Sequence, residues 1–375
     1  MITIRKDFFV ENTDRFSGIF QETDSQFAMF DIETTGLSAA TSGLYLIGVC
    51  YHLSGEAPSC FHLIQWFGER FCDESRILRA FADFSKDFRF FFSYNGSLFD
   101  LNYLKNVCEH YYLDDVRQKL LEIESMHCDL LKALKKFKTL FDLPNLRLKT
   151  VEQHLGIDRK DLYSGFELIS QYEEFLSDPS RTDLLDNLLL HNEEDIRNLI
   201  PLLPIRTLQK IYEGTFPYFT ADVSATLGED GIVLNGFFPE ELPFAFEPDV
   251  PYLKNVRIRK DRFSLEIPFY TGEMKLFFSP AKDYFYLPME DMAIHKSIAQ
   301  FTDSSHRVKA TEKTCYQKRF GTFLPQLGEW EQFRPSYSFE PGKQLITYFE
   351  YSGREIENPA LDKWSAGLIR SLFFT

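Results

Sequence analysis

At 375 residues the chain exceeds what one compact core usually needs, so two domains are the first expectation. Its net charge of −15 weighs against a protein that coats nucleic acid or an anionic membrane, which draws on dense Lys and Arg, but leaves room for one that grips a few nucleotides locally. The 39 phenylalanines and 18 tyrosines fall on both halves, which favours folded domains throughout over a disordered tail.

The first 25 or so residues read as a polar arm. MITIRKDFFVENTDRF lacks an apolar signal-peptide core, and no run of about 18 apolar residues follows to span a bilayer. Without a secretion signal, the sequon Asn95-Gly96-Ser97 is accidental. The six cysteines, Cys50, Cys60, Cys72, Cys108, Cys128 and Cys315, show no C-x-x-C pair or zinc-like spacing, as expected of reduced thiols in a cytoplasmic protein with no membrane partner.

Phe27 to Ile32 reads as a buried strand followed by the turn-rich Thr34-Thr35-Gly36, and Leu44 to Leu53 and Ser59 to Phe67 as two further strands of an antiparallel meander. Asp73 to Lys86 has helical periodicity through Ile77, Leu78, Phe81 and Phe84, and Phe88 to Tyr94 is an apolar strand beyond it; that strand–helix–strand step implies a parallel neighbour. Leu98 to Tyr212 is mostly helical. Past Gly214 short alternating runs take over, at Val256 to Arg259, Phe263 to Ile267, Met274 to Phe278 and Tyr284 to Leu287, which predicts a second, β-rich domain.

Three segments carry candidate chemistry. Asp31 and Glu33 end the first of these strands, and side chains at i and i+2 emerge on one face, where two acids would repel unless a divalent cation took their oxygens. A solvated strand end explains the pair equally well. Asp100 falls in the first turn of the helix after the Phe88 to Tyr94 strand, where an acid also serves simply to complement the helix dipole. On a wheel of 100° per residue, Leu184, Leu188, Ile196 and Leu199 lie in one apolar arc, with His191 and Asp195 together at its edge. Asn192 falls within the arc and requires polar partners, whereas Glu193 and Glu194 project to the opposite, solvated side.

Taken in order, Asp31-Ile-Glu-Thr-Thr-Gly-Leu37, Tyr94-Asn-Gly-Ser-Leu-Phe-Asp100 and His191-Asn-Glu-Glu-Asp195 resemble the three exonuclease motifs of the DEDD (DnaQ-like) superfamily. With the intervening Leu146-Arg-Leu-Lys-Thr-Val-Glu-Gln-His-Leu-Gly156, residues 25 to 212 look like the YprB-type ribonuclease-H-like domain. Three ordered motifs are far more specific than one.

The resemblance implies an α/β, ribonuclease-H-like fold, with a mixed five-stranded sheet flanked by helices over residues 26–213. An N-terminal arm of residues 1–25 would precede it and a β-rich domain of residues 214–375, with no assigned role, would follow. It implies that Asp31, Glu33, Asp100 and Asp195 ligate two Mg²⁺ or Mn²⁺ ions, and that His191 is the general base of a 3′–5′ exonuclease acting on a single-stranded 3′ end of DNA or RNA. By the same carry-over, Thr35, Gly36 and Leu37 lie against the terminal nucleotide and Asn95 near the next phosphate. The chain departs from the pattern in one respect: relatives with His in the third motif usually place the Asp five residues on, and here the spacing is four.

Other residues keep two readings. Asp129 serves either as a supporting acid behind the site or as an ordinary helix cap. Lys132, Lys135, Lys136 and Lys138, with Arg147 and Lys149, form either a phosphate track or a solvated helix face, and the run Lys254, Arg257, Arg259, Lys260, Arg262 presents the same choice on a strand. The alternative for the whole chain is a catalytically inactive nucleic-acid-binding or protein-interaction module on the same fold.

Overall fold

A computed structural model describes residues 1–216, 223–356 and 360–374. The chain divides into two compact units, one of Met1–Phe216 with Glu240–Phe244, the other of Pro217–Pro239 with Ala245–Thr375.

The first unit runs β1 (Ile2–Phe9), α1 (Ser17–Glu22), β2 (Phe27–Thr34), β3 (Leu44–His52), β4 (Cys60–Phe67), α2 (Glu74–Phe84), β5 (Phe91–Ser93), α3 (Asp100–His110), α4 (Asp114–Ser125), β6 (His127–Asp129), α5 (Leu130–Lys135), α6 (Leu148–His154), α7 (Gly165–Ser177), α8 (Thr182–Arg197) and α9 (Ile205–Glu213). Its six strands form one mixed sheet in the order β1-β4-β3-β2-β5-β6. The β2-β3-β4 meander is antiparallel, and β5 and β6 add parallel to β2, as the strand–helix–strand step predicts.

The sheet has six strands and not five, because the expected polar arm is not an arm over its first half. Ile2–Phe9 pairs antiparallel with β4 along its whole length, Ile2 opposite Phe67 and Phe9 opposite Cys60. A strand at a sheet edge needs only one buried face, so the charged Arg5, Lys6 and Asp7 hide it from a search for apolar runs.

Period-two alternation sorts the side chains of β2. Ala28, Phe30 and Ile32 enter a core with Ile77, Leu78 and Phe81 of α2, Leu101 and Leu104 of α3 and Leu120 of α4. Asp31 and Glu33 therefore face the other side, which α8 covers along β2 and β3. There Tyr45, Leu46 and Phe67 pack with Leu168, Tyr172 and Phe175 of α7 and Leu184 and Leu188 of α8.

The register sets Gly48 directly across from Asp31, and α8 crosses there at close range. A Cβ on Gly48 would lie 1.9 Å from Asn192 Oδ1 and 2.9 Å from Ile196 Cδ1, and Asn192 is itself tied down. Gly48→Ala is expected to cost about 1–3 kcal/mol by overpacking, read as a lower urea midpoint at unchanged slope. Gly165→Ala, where a Cβ meets nothing within 4 Å, is the control; equal midpoints for the two variants would refute the close approach.

The placement of Glu193 on a solvated face is overturned. It is buried, ion-paired to Lys6 Nζ of β1 at 2.5 Å and to Arg197 Nη1 at 2.8 Å, because the additional edge strand brings a cation over α8. Glu194 is half-buried, and its carboxylate accepts from the backbone N–H groups of Lys160 and Asp161, both at 2.9 Å.

The second unit is β-rich. It contains β7 (Ser224–Leu227), β8 (Gly231–Phe237), β9 (Lys254–Ile258), β10 (Arg262–Pro268), β11 (Tyr270–Phe277), β12 (Tyr284–Leu287), β13 (Met292–His295), α10 (Lys296–Ala299), β14 (Val308–Lys309), β15 (Tyr316–Leu327), β16 (Ile346–Glu350) and α11 (Ala360–Ser371). The strands form three antiparallel sheets, β7-β8-β10-β9, β11-β15-β16 and β13-β12-β14. In its basic run, Arg259 pairs with Glu247 and Arg262 with Asp261, while Arg257, Arg259 and Arg262 line a cavity of about 350 Å³ with Phe237 and Phe263. Among the described residues no helix is long and apolar enough to cross a membrane.

Candidate active site

Three elements converge where β2 ends. Glu33 Oε1, His191 Nε2 and Asp195 Oδ2 form a tight group, with the imidazole nitrogen 3.8 Å from the glutamate and 3.7 Å from the aspartate. Asp31 sits one strand period back, its Oδ2 accepting from Asn192 Nδ2 at 3.1 Å. Asn192 Oδ1 in turn accepts from Gln65 Nε2 at 3.0 Å, so the amide predicted to need partners inside the apolar arc finds the Asp31 carboxylate on one side and a β4 glutamine on the other. Asp100 arrives from the first turn of α3, with the backbone N–H of Ile32 donating to its Oδ1 at 3.2 Å.

The clustering is costly electrostatically. Burial, followed by the charges of Asp195, Asp100 and Glu33, holds the Asp31 carboxyl well above the usual carboxylate range. Burial and the charges of Asp195, Asp100 and Asp161 do the same to Glu33, against the partial relief of Arg159. Asp100 is pushed up to about 7, mainly by burial, although its backbone hydrogen bonds favour the ionised form. Glu33 Oε1 is also buried without a hydrogen-bond donor. A cluster of hard oxygen donors with excess negative charge and a spare acceptor fits a divalent cation such as Mg²⁺ or Mn²⁺.

The loop before α3 is built for close approach. Asn95 adopts a left-handed φ of 74°, and a Cβ on Gly96 would lie 2.1 Å from Ser93 Oγ. Asp129 holds this loop, its Oδ1 accepting from Asn95 N at 3.0 Å and its Oδ2 from Ser97 N at 3.1 Å, while it also caps α5 through Lys132 N. The helix-cap reading of Asp129 therefore holds, and the same carboxylate also ties down the loop before α3. Thr35, Gly36 and Leu37 leave β2 in a turn closed by Thr35 N to Gly43 O and Gly43 N to Thr35 Oγ1, and Leu37 is 88% exposed.

In the basic run Lys132, Lys135, Lys136 and Lys138 are exposed. Lys149 is engaged by Asp161 and the Tyr163 carbonyl, whereas Lys132 and Lys136 line a cavity of about 230 Å³ with Ser97, His127 and Tyr212. His127 there is held down to about 4 by burial.

Sequence reasoning missed an inner ring of charge. Arg159, whose side chain is only 8% accessible, forks onto Glu152 through Nε (2.5 Å) and Nη2 (2.7 Å) and reaches Asp195 Oδ1 with Nη1 at 2.5 Å. Asp161 accepts from His191 Nδ1 at 2.7 Å and from Lys149 Nζ at 2.9 Å. Both lie in the irregular connection between α6 and α7, where neither periodicity nor motif singles them out; Glu152 lies inside the Leu146 to Gly156 segment without a role attached.

Residues 28–205 match the RNase_H_2 model of the RNase H superfamily. No curated protein matches the sequence. Among solved structures, the chain is similar to the family B DNA polymerase of the hyperthermophilic archaeon Pyrobaculum calidifontis, at 15% identity over 64% of this chain and 39% of that one, with a TM-score of 0.35. It is similar to E. coli Exonuclease I in complex with a 5cy-dT13 oligonucleotide, at 16% identity over 44% of this chain and 43% of that one (TM-score 0.27). A third similar structure is yeast NOT1 MIF4G domain co-crystallized with CAF1, at 13% identity over 47% of this chain and 88% of that one (TM-score 0.27). The match thus spans less than half the length of the polymerase and exonuclease chains. With the match over residues 28–205 and the mixed six-stranded sheet with helices on both faces, the first unit has a ribonuclease-H-like fold.

Proposed function

We propose that the chain is a metal-dependent nuclease of the DEDD, YprB-like type, a 3′–5′ exonuclease acting on single-stranded 3′ ends of DNA or RNA, with its catalytic work confined to residues 26–213. The observation that carries this reading is the group of Asp31, Glu33 and Asp100, all resisting ionisation, around a buried Glu33 oxygen without a donor. Such an arrangement is unfavourable in itself and becomes favourable with divalent cations.

Asp31, Glu33, Asp100 and Asp195 would hold two Mg²⁺ or Mn²⁺ ions, which when bound activate water and stabilise the departing 3′-oxygen. His191 Nε2 accepts the proton of the attacking water; the new P–O bond forms as the P–O3′ bond breaks, and the 3′-oxygen leaves to take up a proton. The exposed Leu37, with Thr35 and Gly36, supports the terminal nucleotide, and Asn95 lies near the next phosphate.

The test is cleavage of labelled single-stranded and recessed-end DNA and RNA with Mg²⁺ or Mn²⁺. Wild type is expected to release mononucleotides from the 3′ end, and Asp31→Asn to lose at least about 100-fold of the rate. Internal cuts would make the protein an endonuclease. Absence of any cleavage above Asp31→Asn, together with no carboxylate-dependent divalent binding by calorimetry, would favour the inactive module.

A further inference from the structure

We propose that Asp161 is a positioning residue that fixes the tautomer of His191, so that the chain carries an Asp–His pair beside its carboxylate cluster. The proposal rests on the nuclease reading for its catalytic consequence, but its structural content stands on separate contacts.

The connection between α6 and α7 has no regular structure, yet it is fastened to α8 at three successive residues. Arg159 bonds Asp195, the backbone N–H groups of Lys160 and Asp161 both donate to Glu194, and the Asp161 side chain meets His191. Helix α8 thereby supplies the anchor for the segment that orients its own histidine. The Asp161 side chain is 1% accessible and fully engaged, Oδ1 accepting from Tyr163 N at 3.0 Å and Oδ2 from Lys149 Nζ at 2.9 Å and His191 Nδ1 at 2.7 Å. Burial opposes its charge, but the Lys149 hydrogen bond and its other partners prevail and hold it below the usual carboxylate value.

An ionised carboxylate has no proton to give, so the hydrogen between Asp161 and His191 belongs to Nδ1. In the neutral ring the lone pair is then on Nε2, the nitrogen that faces Glu33 Oε1 and Asp195 Oδ2. Without Asp161 the ring could hold its proton on either nitrogen and rotate about its side-chain bonds. The same logic explains how the four-residue spacing between His191 and Asp195 is usable: on one helix face the two side chains stand side by side, and the ring is aimed by a group from outside the helix.

Asp161→Asn is the discriminating change, because donors line both carboxylate oxygens. An amide there must turn its NH₂ towards Tyr163 N or towards Lys149 and His191, and the second orientation presents a donor to Nδ1 and reverses the tautomer. We expect ring ¹H–¹⁵N spectra of the metal-free wild-type protein, with His191 identified by loss of its signal in His191→Ala, to show the Nδ1–H form, and Asp161→Asn to show Nε2–H or a mixture. In cleavage assays Asp161→Asn should lower kcat by about 10²–10⁴-fold with KM within about threefold, and Asp161→Glu should recover part of the loss. A wild-type spectrum with the proton on Nε2, or kcat within threefold in Asp161→Asn, would overturn the proposal. If wild type cleaves nothing, the nuclease reading fails, while the wild-type spectrum still decides the role of Asp161.

Discussion

Asp31→Asn is expected to make the metal-free protein more stable, by about 1–2 kcal/mol at neutral pH, while removing the stabilisation that Mg²⁺ or Mn²⁺ gives the wild type. One pKa unit of unfavourable shift corresponds to about 1.4 kcal/mol against the charged form, and Asp31 is raised by burial and by three acidic neighbours together. An amide relieves that repulsion and can still accept from Asn192 Nδ2, so little packing is lost. The sign with pH follows from the same groups. Asp31, Glu33 and Asp100 have folded values above their unfolded ones, so their contribution to stability is fully present below about pH 4 and is lost as pH rises. For Asp100 that loss runs up to about pH 7. Thermal melts in chelator should therefore show wild type losing stability relative to Asp31→Asn across this interval. Divalent ions should close the difference at pH 7 by stabilising wild type alone. A variant less stable than wild type in chelator, or one that keeps the divalent gain, would contradict the charge-cluster account.

Arg159→Met is expected to have the largest effect on stability, a loss of about 3–5 kcal/mol. Its guanidinium links Glu152, whose side chain is 1% accessible, to Asp195, which is 19% accessible, and methionine leaves both carboxylates without their cation. The cost of removing one partner is mostly that of the charge left behind, so Arg159→Met with Glu152→Gln should recover a substantial part of it. Urea unfolding of the single and double variants checks this. A loss below about 1 kcal/mol in the single variant would mean that the fork carries little weight. The two variants act on the same cluster in opposite directions, one removing an excess anion and the other the guanidinium that neutralises Asp195.

Part of this architecture was legible because it is local. The β2–β3–β4 meander, α2 and the parallel β5 follow from periodicity and short connections, each a property of neighbouring residues. So do the common face of Asp31 and Glu33, the pairing of His191 with Asp195 on α8, and the requirement of Asn192 for polar partners. β1 was not, since an edge strand with Arg5, Lys6 and Asp7 has no apolar signature and is identified only by its pairing with β4. The burial of Glu193 follows from that omission, because its counter-ion Lys6 lies on the missed strand.

What the sequence determined by itself is which residue types sit on which face of each element, since strand and helix periods are fixed by the backbone. Only the tertiary structure decided what those faces meet. Arg159 and Asp161 come from an irregular segment, where no period predicts direction, and they reach α8 across separations of 36 and 30 residues. The carboxylates at the end of β2 could be read from the chain, whereas the cation and the aspartate that orient Asp195 and His191 had to be found in space.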